Sequence, residues 1–184
     1  IKVLDFDGDG RSEILSAGNS GVTLFDRNPV TNLWSSRLLT PGARNYWKSH
    51  NFTELADGAL DSIIEFAGKL PSPQCEIFIG LIAGASNRIA PDAMAYGHRD
   101  AKFVLNVHGR WDEAKDDQKG IGWARDFFKA SAQYASAGAY VNFMTAEEGD
   151  RVAAAYGANY DRLVQAKKRY DPDNIFHLNQ NIKP

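Results

Sequence analysis

K-F-V-L-N-V-H-G-R-W, residues 102–111, alternates along its length. Phe103, Leu105, Val107 and Trp111 fall on one side of an extended chain, and Lys102, Asn106, His108 and Arg110 fall on the other. A strand with one apolar and one polar side belongs in a sheet that is covered on a single face. The flanking sequence supplies the cover. Leu60, Ile63, Ile64, Ala67 and Leu70 recur at helical spacing, with Asp57 near the start and Pro71-Ser72-Pro73 beyond the end. A second helix is expected from about Lys119 to Tyr134, with Ile121, Ala124, Phe127, Phe128 and Ser131 on its apolar side. Glu76 to Ala83 reads as a buried strand and Ala139 to Phe143 as a short one. Helical stretches at 152–156 and 160–170 stop before Asp171-Pro172. The expected fold class is α+β: an antiparallel or mixed sheet with helices packed on one face.

The first 43 residues have a different texture, with short strands I-K-V-L, E-I-L and V-T-L-F, a Gly18-Asn19-Ser20-Gly21 turn and no helical period. Thr40-Pro41-Gly42 marks the seam, so a short all-β strip, 1–43, precedes the α+β segment, 44–184. At 184 residues the chain is long enough for one domain and a fragment. It is 43% hydrophobic and 24% charged, with 21 basic against 23 acidic residues, which disfavours both disorder and a polybasic nucleic-acid binder. Ile77 to Ala85 is broken by Gly80 and Gly84 and falls far short of the ~18 apolar residues of a spanning helix, so no membrane span is expected. Cys75 is the only cysteine, which excludes an internal disulfide and any Cys-pair zinc site. His50, His98, His108 and His177 show no metal-ligand spacing. The chain begins with Ile1 inside an apolar run, so the true N-terminus is expected upstream.

Asp5, Asp7 and Asp9 occupy alternate positions, Gly10 follows, and Glu13 lies four residues after Asp9. Four carboxylates converging from one tight loop suit a hard cation such as Ca²⁺. An EF-hand is disfavoured, because its twelfth position would be Ser16 and strands flank the loop. The pattern resembles the calcium loops of FG-GAP and VCBS-type propeller repeats, although one repeat stands here where a propeller needs several blades. Solvated acids in a hairpin turn are the plain alternative. A haloacid-dehalogenase reading, with Asp5 as nucleophile and Asp7 as acid, lacks later Lys and Asp residues at strand ends; Asp116-Asp117 lies in a charged loop. A calcium-type loop also tilts the expected location toward the outside of the cytoplasm.

In the longer segment, R-N-Y-W-K (44–48), A-Y-G-H-R-D (95–100), N-V-H-G-R-W (106–111), Y-V-N-F (140–143), A-A-Y-G-A-N-Y-D-R-L (154–163), K-K-R-Y-D-P-D-N-I-F (167–176) and L-N-Q-N-I (178–182) follow in order. Together they resemble the C-terminal half of the berberine-bridge-enzyme-like family of FAD-linked oxidases. The resemblance implies a substrate-domain sheet and a tail returning to the flavin. The FAD-binding domain would then come from missing sequence or from another chain, because no Gly-rich dinucleotide loop is present. It also implies that Tyr140 and Asn142 face FAD and that Tyr140 is the general base for an alcohol or carbohydrate hydroxyl. A phenol with a pKa of ~10 needs a nearby cation for that task, and Lys102, His108 and Arg110 qualify if their strand is adjacent. With Asn106 they form the candidate substrate-binding face.

Three functions stay open on these residues. One is the substrate half of an FAD-linked oxidoreductase. Another is a non-catalytic, Ca²⁺-stabilised module that binds a carbohydrate or a partner. The last is an enzyme of another class, such as a hydrolase, on a redeployed cap domain, for which no nucleophile elbow is present. The calcium expectation is tested by thermal melts in saturating Ca²⁺ and in EDTA. A higher melting temperature with Ca²⁺ is expected by mass action, and identical melts contradict it.

Overall fold

A computed structural model describes residues 42–136 and 138–184, together with four strands among the first 43 residues. The chain divides into two compact units, Ile1–Ala43 and Arg44–Pro184. In the shorter unit β1 (Lys2–Leu4), β2 (Glu13–Gly18), β3 (Gly21–Arg27) and β4 (Trp34–Ser36) pair antiparallel in chain order. Asp5, Asp7 and Asp9 lie outside the described residues, and of Glu13 only its place at the start of β2 is described.

In the longer unit β5 (Arg44–Phe52), β6 (Glu76–Leu81) and β7 (Phe103–Trp111) form an antiparallel sheet in the order β5-β7-β6. The register sets Trp47 and Glu76 on either side of His108, and Ser49 and Phe78 on either side of Asn106. Helices α1 (Asp57–Ala67) and α2 (Asp117–Ser131) cover one face; α3 (Val152–Tyr156) and α4 (Tyr160–Tyr170) follow. The core under α1 and α2 is Phe52, Leu105 and Val107 from the sheet, with Ala59, Trp123, Ala124, Phe127 and Cys75. This is the α+β class expected from the alternation in β7, with the apolar side of the strand turned to the helices.

Three local expectations are corrected. The strand at 76–83 is an edge strand that stops at Leu81, and Phe78, Ile79 and Leu81 are exposed, because β7 pairs with only one of its sides. Helix α1 turns Ala59, Ile63 and Phe66 inward, while Ile64 is 70% exposed and Leu60 and Leu70 also face outward. Its main neighbour is one helix, α2, so a narrower stripe is buried than the spacing suggests. Residues 139–143 are not a strand. Val141–Phe143 form a single 3₁₀ turn closed by Phe143 N–H to Tyr140 O (2.9 Å) and Met144 N–H to Val141 O (3.2 Å). Five residues of alternation are too few to outweigh those local bonds and the packing of Ala139 and Met144 against Val152 and Ala155.

His50 stacks on Phe128 at 4.0 Å between ring centroids, and its Nε2–H donates to the Phe128 carbonyl at 2.9 Å. Burial and the nearby Arg151 hold this ring neutral, pushing its pKa down to about 4. A free histidine takes its proton near 6.5, so between the two values the unfolded chain binds a proton that the folded chain refuses. Stability is therefore expected to fall as pH drops from about 6.5 to 4, by up to about 3 kcal/mol from this residue. Denaturant titrations across that window check it: His50→Gln should flatten the slope, and an unchanged slope contradicts the assignment. A second test uses two glycines of α2. A Cβ on Gly120 would overlap the Trp111 ring, whereas one on Gly122 meets nothing within 4 Å. Gly120→Ala should cost about 1–3 kcal/mol by overpacking, and Gly122→Ala should stabilise by about 0.4–1 kcal/mol, both read from denaturant midpoints.

Candidate functional site

Strand β5 separates two environments. Its even residues point to the helices: Tyr46, Lys48, His50 and Phe52. Its odd residues Asn45, Trp47, Ser49 and Asn51 share the other face with Asn106, His108 and Arg110 of β7 and Glu76 of β6. On this polar face His108 is held from both sides, with Nδ1 3.3 Å from Glu76 Oε1 and Nε2 3.1 Å from Asn45 Oδ1, and Trp47 meets its ring edge-on at 5.8 Å. Asn106, His108 and Arg110 are buried, and so are Ser49 and Asn51. Ser49 Oγ, both amide atoms of Asn51 and Trp47 Nε1 have no hydrogen-bond partner. Unpartnered buried polar atoms carry a desolvation cost, which a ligand or water able to bond them would relieve.

The Tyr140 turn stands against the edge of β5. Asn142 Nδ2 donates to the Tyr140 hydroxyl oxygen at 2.8 Å, so the phenol and the amide act as one unit. The Tyr140 ring meets Phe143 at 5.1 Å and Tyr96 at 6.1 Å, both edge-on. A cleft of about 540 Å³ opens here, lined by Trp47 from β5, Val141, Asn142 and Met144 from the turn, Tyr156 from α3, and Leu178, Asn179 and Gln180 from the tail. Gln180 Nε2 donates to the Met144 carbonyl at 3.1 Å and fixes the tail across the turn. A volume of this size suits a small organic molecule, with apolar walls and three amides to orient it.

Behind β5 lies a compact charge cluster. Lys48 Nζ sits 2.7 Å from Glu147 and 3.4 Å from Glu148, and donates to Thr145 Oγ1 at 3.3 Å. Thr145 N–H and hydroxyl both donate to Glu148 Oε2, at 2.9 and 3.0 Å, and Arg151 pairs with the same carboxylate. Arg125 bonds Glu147 at 2.7 Å and the Tyr46 hydroxyl at 2.9 Å, and Tyr46 donates to Glu147. Hydrogen bonds from Lys48, Tyr46 and Arg125 hold the Glu147 carboxyl down to about 2. Further along, His98 Nε2 contacts the Ala154 and Ala155 carbonyls at 3.0 Å, and Asn159 Nδ2 donates to Pro91 and Met94 carbonyls at 2.7 and 3.0 Å.

The residues named from sequence therefore fall in separate places. Tyr140 and Asn142 are brought together, on a turn. Asn106, His108 and Arg110 share one face of β7, and Lys102, just before that strand, is exposed. The strand that carries them is the central one, with β5 between it and the turn, so the adjacency that would put these cations beside Tyr140 is not met. Trp47 lines the cleft, whereas Trp111 and Trp123 are buried and donate to Asp117 and the Phe66 carbonyl. Missed from sequence was the hold of Lys48 on Thr145, whereas the tail carrying L-N-Q-N-I, which lines the cleft, was already expected from the resemblance to return to the site. Among the described residues no group of three or more His, Cys, Asp or Glu could hold a metal ion, and no helix is long and apolar enough to cross a membrane.

Residues 139–183 match the family described as berberine and berberine like. An uncharacterized FAD-linked oxidoreductase of Bacillus subtilis is 29% identical over 74% of this chain and 31% of its own length. Berberine bridge enzyme-like C-1 of Nicotiana tabacum is 30% identical over 70% of this chain and 28% of its own. The berberine bridge enzyme of Eschscholzia californica shares the fold with a TM-score of 0.70 at 20% identity, over 80% of this chain and 34% of that one. A glycopeptide hexose oxidase, solved with teicoplanin, does so with a TM-score of 0.68 at 23% identity, over 78% and 33%. The chain spans about a third of the length of the curated relatives it matches. The motifs of the longer unit, its fold and the match over 139–183 agree in making that unit similar to the C-terminal segment of the berberine-bridge-enzyme-like FAD-linked oxidoreductases.

Proposed function

We propose that the longer unit is the substrate-facing half of an FAD-linked oxidoreductase that oxidises an alcohol or sugar hydroxyl, with the FAD-binding domain supplied by sequence outside this chain or by another chain. The observation that carries this reading is the cleft lined by Asn142, Trp47 and the 178–180 tail, with Asn142 bonded to the Tyr140 hydroxyl at its margin. The donor set suits the ring end of a flavin. An unpartnered indole N–H and the amides of Asn142, Asn179 and Gln180 match a flat heterocycle edged with carbonyls and N–H groups, between the apolar Val141, Met144 and Leu178. FAD, when bound, accepts the hydride.

Everything else falls to side chains of this chain. Tyr140, acting as its phenolate, would take the proton of the substrate hydroxyl as the carbon gives up its hydride. Asn142, donating to the Tyr140 oxygen, orients the phenol and stabilises charge on that oxygen, the task the sequence reading gave to a cation. Asn106, His108 and Arg110 offer polar groups to the substrate from the sheet, with Lys102 at its margin. Trp47 gives a ring a flat surface to lie on. The hexose oxidase among the structural relatives supports a hydroxyl-bearing substrate. For the shorter unit, Ca²⁺ binding by Asp5, Asp7, Asp9 and Glu13 is proposed on the spacing of those acids alone.

The test is turnover of Tyr140→Phe in the enzyme completed with an FAD-binding domain. Removing a general base should lower the rate by ~10²–10⁴, whereas a structural phenol should cost almost nothing. Tyr156→Phe, in the same cleft, controls for cleft shape, and Tyr134→Phe, packed against Gly58, controls for stability. Near-normal turnover of Tyr140→Phe removes it from the catalytic role.

A further inference from the structure

The segment from Tyr140 to Glu148 wraps the free edge of β5. Val141, Asn142 and Met144 stand with Trp47 on the cleft side of the strand. Thr145, Glu147 and Glu148 stand on the helix side, gripping Lys48. Trp47 and Lys48 are consecutive, so one strand position holds the hook from both sides.

Stability alone does not explain this choice of residue. The Lys48 side chain is 8% exposed and that of Glu148 is 4% exposed. Taking such charges out of water costs about as much as their attraction returns, and a well-packed apolar replacement is often as stable. What the ion cluster adds is direction. An ammonium with three donors, shared between Glu147, Glu148 and Thr145, fixes where the chain leaves the turn, and Thr145 is then locked to Glu148 by two further bonds.

We propose that Lys48 is a positioning residue: by holding Thr145, Glu147 and Glu148 behind β5, it sets the place of the Tyr140–Asn142 pair in front of it. That this pair is the reactive one rests on the proposed oxidoreductase function; the placement itself does not. Lys48 touches neither substrate nor flavin in this account and acts through the turn.

NMR of the 184-residue chain tests the placement directly. The probe is the Asn142 side-chain amide, whose proton is bonded to Tyr140. In Lys48→Met this resonance should move, and its exchange with solvent should become roughly tenfold faster or more as the bond opens more often. The Trp123 indole N–H, bonded to Phe66 within the core, should stay in place and report an intact fold. Lys48→Arg, which keeps the charge, should restore most of the native shift and exchange. A folded Lys48→Met with native Asn142 shift and exchange overturns the proposal. If Lys48→Met does not fold, Thr145→Val decides by the same readout, since it removes one hydroxyl and no charge. Near-normal turnover of Tyr140→Phe would defeat the catalytic reading and leave this result standing, so the two claims fail separately.

Discussion

Successive residues of an extended strand point to opposite sides, and in β5 that alternation connects the core to the cleft. Tyr46, Lys48, His50 and Phe52 enter the helical side; Asn45, Trp47, Ser49 and Asn51 enter the other. A slip of one residue in the pairing with β7 would exchange the two sets, putting Lys48 into the cleft and Trp47 under α2. The register is secured by Phe52 in the core and by Arg44, whose guanidinium forms a two-bond pair with Asp117 at the start of α2. The core and the candidate site thus share one strand.

The C-terminal segment is attached by polar bonds as well as by apolar packing. Its own cluster, Ala139, Met144, Val152 and Ala155, contains small side chains and one methionine. Against it stand the Lys48 cluster, the Asn159 amide bridging carbonyls of 91–94, Arg162 on the Asp92 carbonyl at 2.7 Å, and His98 on α3. Gly138, at φ +97°, lets the chain pass directly over the His98 ring, where a Cβ would collide with it. Directional bonds of this kind fix position more sharply than they add stability, which suits the role proposed for Tyr140 and Asn142.

The layers were legible in the sequence because the periods were long. Ten residues of clean alternation identified β7, and the helical stretches at 152–156 and 160–170 were expected to stop at Asp171-Pro172. Residues 139–143 misled because a five-residue alternation also fits a 3₁₀ turn, and only the neighbouring Val152 and Ala155 show which was chosen. In the turn the Tyr140 and Asn142 side chains nonetheless stand together, bonded to each other directly. Lys48 was invisible as a site residue. Its partners lie 97 to 100 positions away, and nothing in a local pattern signals a pairing at that distance.

The proposed function places the ring end of a flavin in the cleft beside Trp47. The most direct measurement is a titration of the isotopically labelled chain with flavin mononucleotide, followed by NMR. The Trp47 indole N–H and the side-chain amides of Asn142, Asn179 and Gln180 should shift together along one binding curve, while the Trp111 and Trp123 indoles stay in place. Saturating flavin that leaves those four groups unmoved, or that shifts a different surface, contradicts it.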